Sequence, residues 1–233
     1  MLELRRVNSG YGRAQVLFDF GLQLAAGEVV ALLGRNGAGK TTALKAAMGL
    51  LPLFSGDIYF NREKLNRLEP FRIARLGLGY VPEDRRIFSD LTVTENLEAG
   101  RLPPRTGAPR WTPEKLFELF PGLGRMRERR GGSMSGGEQQ MLTIARSLMG
   151  NPSTLLLDEP FEGLAPLIVD SIAKTIRELR REGLSVLLCE QNPRNARLVA
   201  DRACIIEKGR QRFAGPMAEL DADPALRERF LAA

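Results

Sequence analysis

Three short stretches carry residue types that can do chemistry on phosphate at their spacing. The first is Gly34-Arg35-Asn36-Gly37-Ala38-Gly39-Lys40-Thr41-Thr42, with the Gly-x-x-x-x-Gly-Lys-Thr pattern of a phosphate-binding loop. Its glycines let successive backbone N–H groups turn inward around phosphate oxygens. The helix that follows adds the partial positive charge of its N-terminus. Lys40 would reach the β- and γ-phosphates and Thr41 would ligate Mg²⁺ through its hydroxyl. Alone, the loop says only that a nucleotide phosphate binds.

The second stretch, Leu155-Leu156-Leu157-Asp158-Glu159, puts two acids at the end of an apolar strand. Asp158 can hold Mg²⁺ there. Glu159 would face the γ-phosphate and orient or deprotonate the attacking water. The third is Ser135-Gly136-Gly137-Glu138-Gln139. Ser135 with Glu138 reads as a capping box, but two glycines in a first helical turn cost about 1 kcal/mol each relative to alanine. A cap alone would not need them. Bare N–H groups and a serine hydroxyl at a helix N-terminus make an anion site suited to a γ-phosphate. Two phosphate cradles on one chain imply an ATPase in which each ATP is held between two subunits.

These motifs need elements to position them. Val29-Val30-Ala31-Leu32-Leu33 reads as a parallel strand buried on both faces. A helix begins near Lys40, with Ala43, Leu44, Ala47 and Met48 on one side. Residues 2–33 read as strands broken at Gly10-Tyr11-Gly12 and Ala26-Gly27, and 57–60 and 78–81 as short strands. The pattern then turns helical over about 84–150: 94–100, 112–120 with Pro113 at a first helical position, and 135–149, with 102–109 as a proline-rich loop. Strands at 154–157, 184–189 and 203–206 alternate with a helix over 166–181 that points Ile168, Ile172, Ile176 and Leu179 inward and ends at Gly183. Alternating β and α with short connections gives an α/β fold with a mostly parallel sheet, interrupted by an inserted helical lobe.

Composition narrows the class. The chain has 233 residues, 43% hydrophobic and 27% charged, ordinary for a globular domain with a sizeable core. No run approaches the ~18 apolar residues of a membrane span. Met1-Leu2-Glu3-Leu4-Arg5-Arg6 lacks the apolar region of a signal peptide, so the chain is expected to stay where it is made. Cys189 and Cys204 fall in strand-like segments and read as reduced core thiols. The net charge of +6 is scattered arginine, with a cluster over 125–130 read as a solvated helix face. Nucleic acid is not an expected partner.

Along essentially its full length the sequence resembles the ATP-binding cassette (ABC) ATPases, on the phosphate loop, Asp158-Glu159 and above all Met134-Ser135-Gly136-Gly137-Glu138-Gln139. The resemblance implies a phosphate-loop NTPase core over about 1–83 and 151–221, with an N-terminal antiparallel β part. It also implies an inserted helical subdomain over about 84–150 and a tail over about 222–233, all in one ATP-binding domain. It places Tyr11 and Val16 on the adenine side, Gly163-Leu164-Ala165-Pro166 at the facing subunit, and Ser135 to Glu138 on that subunit's ATP. Glu83 stands where a glutamine usually begins the loop to the lobe, and is expected near Mg²⁺ with Thr41 and Asp158. Gln191 stands in the usual switch-histidine position, and the chain has no histidine.

Val81-Pro82-Glu83, Arg85-Arg86-Ile87-Phe88 and Glu190-Gln191-Asn192 are similar to the smaller ATP-binding subunits of branched-chain amino-acid importers, whose wording urea and amide importers share. That branch implies ATP hydrolysis driving two membrane permeases, served by an external solute-binding protein. It also implies a peripheral position on the cytoplasmic face of the inner membrane. Whether the chain pairs with itself or with a related ATP-binding subunit stays open.

The departures have consequences. At ~6 Å and an effective dielectric of ~20, a charge at Glu83 is worth about 3 kcal/mol. Gln191 can donate an amide N–H to phosphate but cannot become cationic. A nucleotide kinase would leave the Ser135 and Gly163 motifs unused. A DNA- or ribosome-acting relative would carry two cassettes or a coiled coil, and a non-hydrolysing regulatory subunit would not need Glu159.

Overall fold

The computed structural model describes residues 1–107 and 109–231, so Ala108 in the expected 102–109 loop and Ala232 and Ala233 in the expected tail lie outside the described residues. The strands are β1 (Leu2–Tyr11), β2 (Ala14–Leu24), β3 (Val29–Leu33), β4 (Leu53–Phe60), β5 (Glu63–Lys64), β6 (Leu78–Val81), β7 (Thr154–Asp158), β8 (Ser185–Glu190), β9 (Arg202–Glu207) and β10 (Arg210–Pro216). The helices are α1 (Lys40–Ala47), α2 (Pro70–Leu76), α3 (Val93–Ala99), α4 (Pro113–Leu119), α5 (Pro121–Gly124), α6 (Gly136–Leu148), α7 (Pro166–Arg181), α8 (Pro193–Ala196), α9 (Met217–Ala222) and α10 (Pro224–Leu231).

The strands form two sheets. One is antiparallel in the order β2-β1-β4-β5, the other runs β10-β9-β3-β8-β7-β6. In the larger sheet β9, β3, β8, β7 and β6 are parallel and only β10 is antiparallel. The α/β class with a mostly parallel sheet and an N-terminal antiparallel part is therefore as the sequence implies.

Burial explains why the central strands read as unbroken apolar runs. Val29, Ala31 and Leu33 enter one core with Leu155, Leu157, Val186 and Leu188. Val30 and Leu32 enter the other with Leu156, Leu187, Cys189 and Cys204. Successive side chains point to opposite faces, and here both faces are covered. The first core holds α6 and α7 residues such as Leu142, Ile172 and Ile176, while the second holds Leu44 and Ala47 of α1 beneath the antiparallel sheet. Both cysteines are buried and unpaired in disulfides.

Several elements differ from the sequence reading. β4 starts at Leu53, ahead of the expected 57–60, because Ser55 and Gly56 sit in a distorted pairing with β1 that breaks the alternation. α8 and β10 have too few apolar residues to show a period, and α2, at seven residues, is too short for its Phe71, Ile73, Ala74 and Leu76 to set one. The arginines over 125–130 are exposed, but they follow α5 in turns and do not line a helix face. Arg127 instead stacks on Phe117 at 4.3 Å. Ile168 is partly buried against the first core.

Candidate functional site

The phosphate loop lies between β3 and α1. Gly39 has φ 112°, a left-handed value that an L side chain rarely adopts, and a Cβ on Gly34 would stand 2.5 Å from the Ile206 carbonyl. Glycine is required at both positions. α1 then starts with no acidic residue in its first turn, leaving its N-terminal field available to an anion.

Lys40 is 4% exposed. Its Nζ donates to the carbonyls of Gly34 (2.9 Å) and Arg35 (3.2 Å) and pairs with Glu159 Oε1 at 3.0 Å. The lysine is thus held by its own loop and by the expected base. Glu159 follows β7 at φ 47° and donates its amide to the Cys189 carbonyl on β8, which fixes its position relative to the neighbouring strand.

Thr41 Oγ1 donates to Asp158 Oδ1 at 3.0 Å, and the Tyr80 hydroxyl donates to Asp158 Oδ2 at 3.0 Å. Burial pushes the Asp158 carboxyl up, the two hydroxyl donors pull it back, and the charges of Glu159 and Glu83 raise it further. Burial and then the Asp158 charge push the Tyr80 phenol up, so it stays a neutral donor. A threonine hydroxyl beside a buried aspartate, with Glu83 lining the same cavity, is an all-oxygen donor set suited to Mg²⁺.

That cavity, about 390 Å³, is lined by Tyr11, Val16, Asn36, Gly37, Gly39, Lys40, Thr41, Thr42, Glu83, Glu159 and Glu162. Most of the expected nucleotide residues therefore line one cavity. Tyr11 is 46% exposed, with the Lys45 ammonium 5.9 Å from its ring centre. Gly34 and Ala38, both buried residues of the loop, do not line the cavity. Gln191 is exposed beyond β8 and does not line the cavity, and neither do Ser135, Gly136, Gly137 and Glu138.

Ser135 caps α6, a 13-residue helix: Ser135 Oγ accepts from the Glu138 amide, and Glu138 Oε2 accepts from the Ser135 amide at 2.7 Å. Packing adds a reason for the glycines beyond the anion argument. A Cβ on Gly137 would sit 2.9 Å from Ile168 Cγ2, and one on Gly136 would sit 2.8 Å from Arg85 Nη1. The signature helix start is thereby seated against α7 and the 83–88 segment.

Sequence reasoning missed three residues. Tyr80, at the end of β6, carries the only clear signal, a polar group on the strand end beside Asp158. Glu162 has its carboxyl pushed up to about 7, first by its hydrogen bond to Glu159 and then by burial. Glu190, 4% exposed, is raised to about 7, chiefly by burial and then by the Glu159 charge, against the Phe161 and Asn192 amides and Lys40, which lower it.

Comparison with known proteins fits this geometry. The chain belongs to the ABC transporter family, which matches residues 17–162. It is an ATP-binding, ATP-hydrolysing subunit of that class, and such subunits couple hydrolysis to transport. It is 44% identical to the high-affinity branched-chain amino acid transport ATP-binding protein BraG of Pseudomonas aeruginosa, over 99% of each chain. It is 37% identical to the lipopolysaccharide export system ATP-binding protein LptB of Acidithiobacillus ferridurans, over 99% of this chain and 96% of that one. A nucleotide-free ATP-binding cassette from an ABC transporter superposes with a TM-score of 0.83 at 25% identity, covering 98% of this chain and 97% of the other. Among the described residues no helix is long and apolar enough to cross a membrane.

Proposed function

We propose that this chain is the ATP-hydrolysing subunit of an importer for branched-chain amino acids or related amide-like nutrients. The observation that carries the reading is the 44% identity to BraG across 99% of both chains. In this reading ATP sits between two head-to-tail subunits, either two copies or a pair of related chains. Tyr11 and Val16 meet the adenine, and Gly34, Asn36, Gly37, Ala38, Gly39, Lys40, Thr41 and Thr42 hold the phosphates. Ser135, Gly136, Gly137 and Glu138 of the facing subunit close the site. Thr41, Asp158 and Glu83 would hold Mg²⁺, which supplies charge neutralisation at the phosphates when bound. Lys40 exchanges its carbonyl and Glu159 partners for phosphate oxygens, which frees Glu159 to orient and deprotonate water. Gln191 donates its amide to the γ-phosphate.

The domain division is a proposal of the same reading: a core over 1–83 and 151–221, a helical lobe over 84–150 and a tail over 222–233. We place the permease contact at residues 83–88, where Phe88 is 49% exposed beside a groove of about 530 Å³ between β6 and α6. Two permeases, an external solute-binding protein acting through them, and a peripheral position at the cytoplasmic membrane face complete the assembly.

The LptB relatives support a second reading, an export ATPase, since LptB of Acidithiobacillus ferridurans covers the same 99% of this chain. Affinity purification from mild-detergent membranes separates the two. Two multi-span permeases and a second ATP-binding chain, with loss of branched-chain amino-acid uptake on deletion, support import. Export-system partners and unchanged uptake overturn it.

A further inference from the structure

Between β6 and α3 the chain runs without helix or strand and turns on two successive left-handed residues, Arg85 (φ 60°) and Arg86 (φ 49°). Such a segment has little regular pairing of its own to place the Phe88 ring, which is 49% exposed beside the groove. A side chain supplies the missing bonds. Asn96 Oδ1, on α3, accepts from the Phe88 amide at 2.9 Å. Asn96 Nδ2 donates back to the Phe88 carbonyl at 3.0 Å, and to the carbonyls of Leu91 (3.1 Å) and Thr92 (2.9 Å). Three carbonyls around one end of the amide leave no doubt which end is the nitrogen. The Leu91 amide also donates to the Phe88 carbonyl at 3.2 Å, but no other acceptor meets the Phe88 amide among the described residues.

Asn96 is fully buried, where an amide costs free energy unless its hydrogen bonds are met, and asparagine is a poor helix former. Packing alone would favour an apolar residue there. Gly131 closes over the clamp: a Cβ on it would stand 3.0 Å from the Phe88 carbonyl oxygen and 3.5 Å from Asn96 Nδ2. We propose that Asn96 is a positioning residue for the permease contact, its buried amide holding the Phe88 backbone so that the ring is already in place when the membrane partner docks. The Arg146 guanidinium, 4.9 Å from the ring centre, steadies the ring itself, and Asn96 fixes the backbone that carries it. An aromatic anchor ordered in advance loses less loop and side-chain freedom on binding, and so binds more tightly.

The inference rests on the placement of the permease contact at 83–88, and the experiment separates the two. Purified full chains (wild type, Phe88→Ala, Asn96→Ala and the double variant) are titrated onto inside-out membrane vesicles of their own cells, stripped of the native chain. The Kd of rebinding is read, with binding of a fluorescent ATP analogue in solution as the control for folding. We expect Kd to rise about tenfold in Phe88→Ala and in Asn96→Ala. The double variant should be no more than about threefold weaker than Phe88→Ala, because the amide acts through the ring it places. Analogue affinity of Asn96→Ala stays within about threefold of wild type. A second readout needs no variant: the Phe88 amide of the wild-type chain should exchange its hydrogen at least about tenfold more slowly than in a free peptide. No change in Phe88→Ala removes 83–88 as the permease contact, and the proposal falls with that reading. A rise in Phe88→Ala without one in Asn96→Ala overturns the proposal alone. So do effects that multiply in the double variant, a loss of analogue binding in Asn96→Ala in step with membrane binding, or a Phe88 amide that exchanges at the free-peptide rate.

Discussion

Replacing Glu190 by glutamine tests the electrostatics of the site through stability alone. The carboxyl is raised from 4.5 to about 7, chiefly by burial. The folded state therefore holds this proton more tightly than the unfolded chain does. Its contribution is intact below about 4.5, erodes as the pH rises, and is fully lost above about 7. Linkage puts the penalty at about 1 kcal/mol near pH 5 and about 3 kcal/mol near pH 8. Glutamine cannot ionise and pays none of it. The stability of Glu190→Gln relative to wild type should then increase by about 2 kcal/mol between these pH values. In a domain of this size that is a change of about 4–8 °C in the Tm difference, readable by calorimetry without nucleotide. Glu162 and Asp158 are also raised, but they titrate in both proteins and cancel to first order. A Tm difference that is the same at both pH values would refute the reasoning.

Arg105→Ala should cost about 2–4 kcal/mol, measured by urea unfolding, because the guanidinium donates to the carbonyls of Ala74, Arg75, Gly150 and Asn151 and its removal leaves buried acceptors unpaired. Tyr80→Phe removes one of two hydroxyl donors on Asp158, and the Mg²⁺ concentration for half-maximal hydrolysis should rise about tenfold. An unchanged Mg²⁺ requirement would remove Tyr80 from the site. Gly209→Ala sets a Cβ 1.7 Å from the Val16 carbonyl at a φ of 73°, so it should lower stability by about 2 kcal/mol or more and weaken ATP-analogue binding at the Val16 wall.

The sequence was most legible where one force decides. The two-faced burial of β3, β7 and β8 keeps polar residues to the strand ends, at Thr154, Asp158, Ser185 and Glu190, and the caps of α6 and α7 are local chemistry. The phosphate loop was equally plain, because glycine at Gly34 and Gly39 is demanded by contact and by φ. Legibility fell where tertiary contact decides. β10 is formed by pairing with β9, and its Arg-Gln-Arg start has no period to announce a strand. Glu190 reads as part of a motif, yet its environment comes from Gly34, Phe161 and Asn192, which only the fold brings together. Tyr80 shows in the sequence only as a polar group in a short strand, and its bond to Asp158 is likewise made by the fold. Gly136 and Gly137 carry two demands at once, close packing and open N–H groups, and sequence reasoning weighed only the second.

The central claim is that ATP is sandwiched between two chains, and sedimentation of a non-hydrolysing variant tests it most directly. Glu159→Gln with ATP is predicted to sediment as a dimer, with itself or with an added related ATP-binding chain. It should be a monomer without ATP. Adding Ser135→Arg should abolish the dimer while leaving ATP-analogue binding to the single chain within about threefold, since Ser135 lines none of the cavity around Lys40. A dimer that forms without ATP, or one that Ser135→Arg leaves intact, would contradict the account.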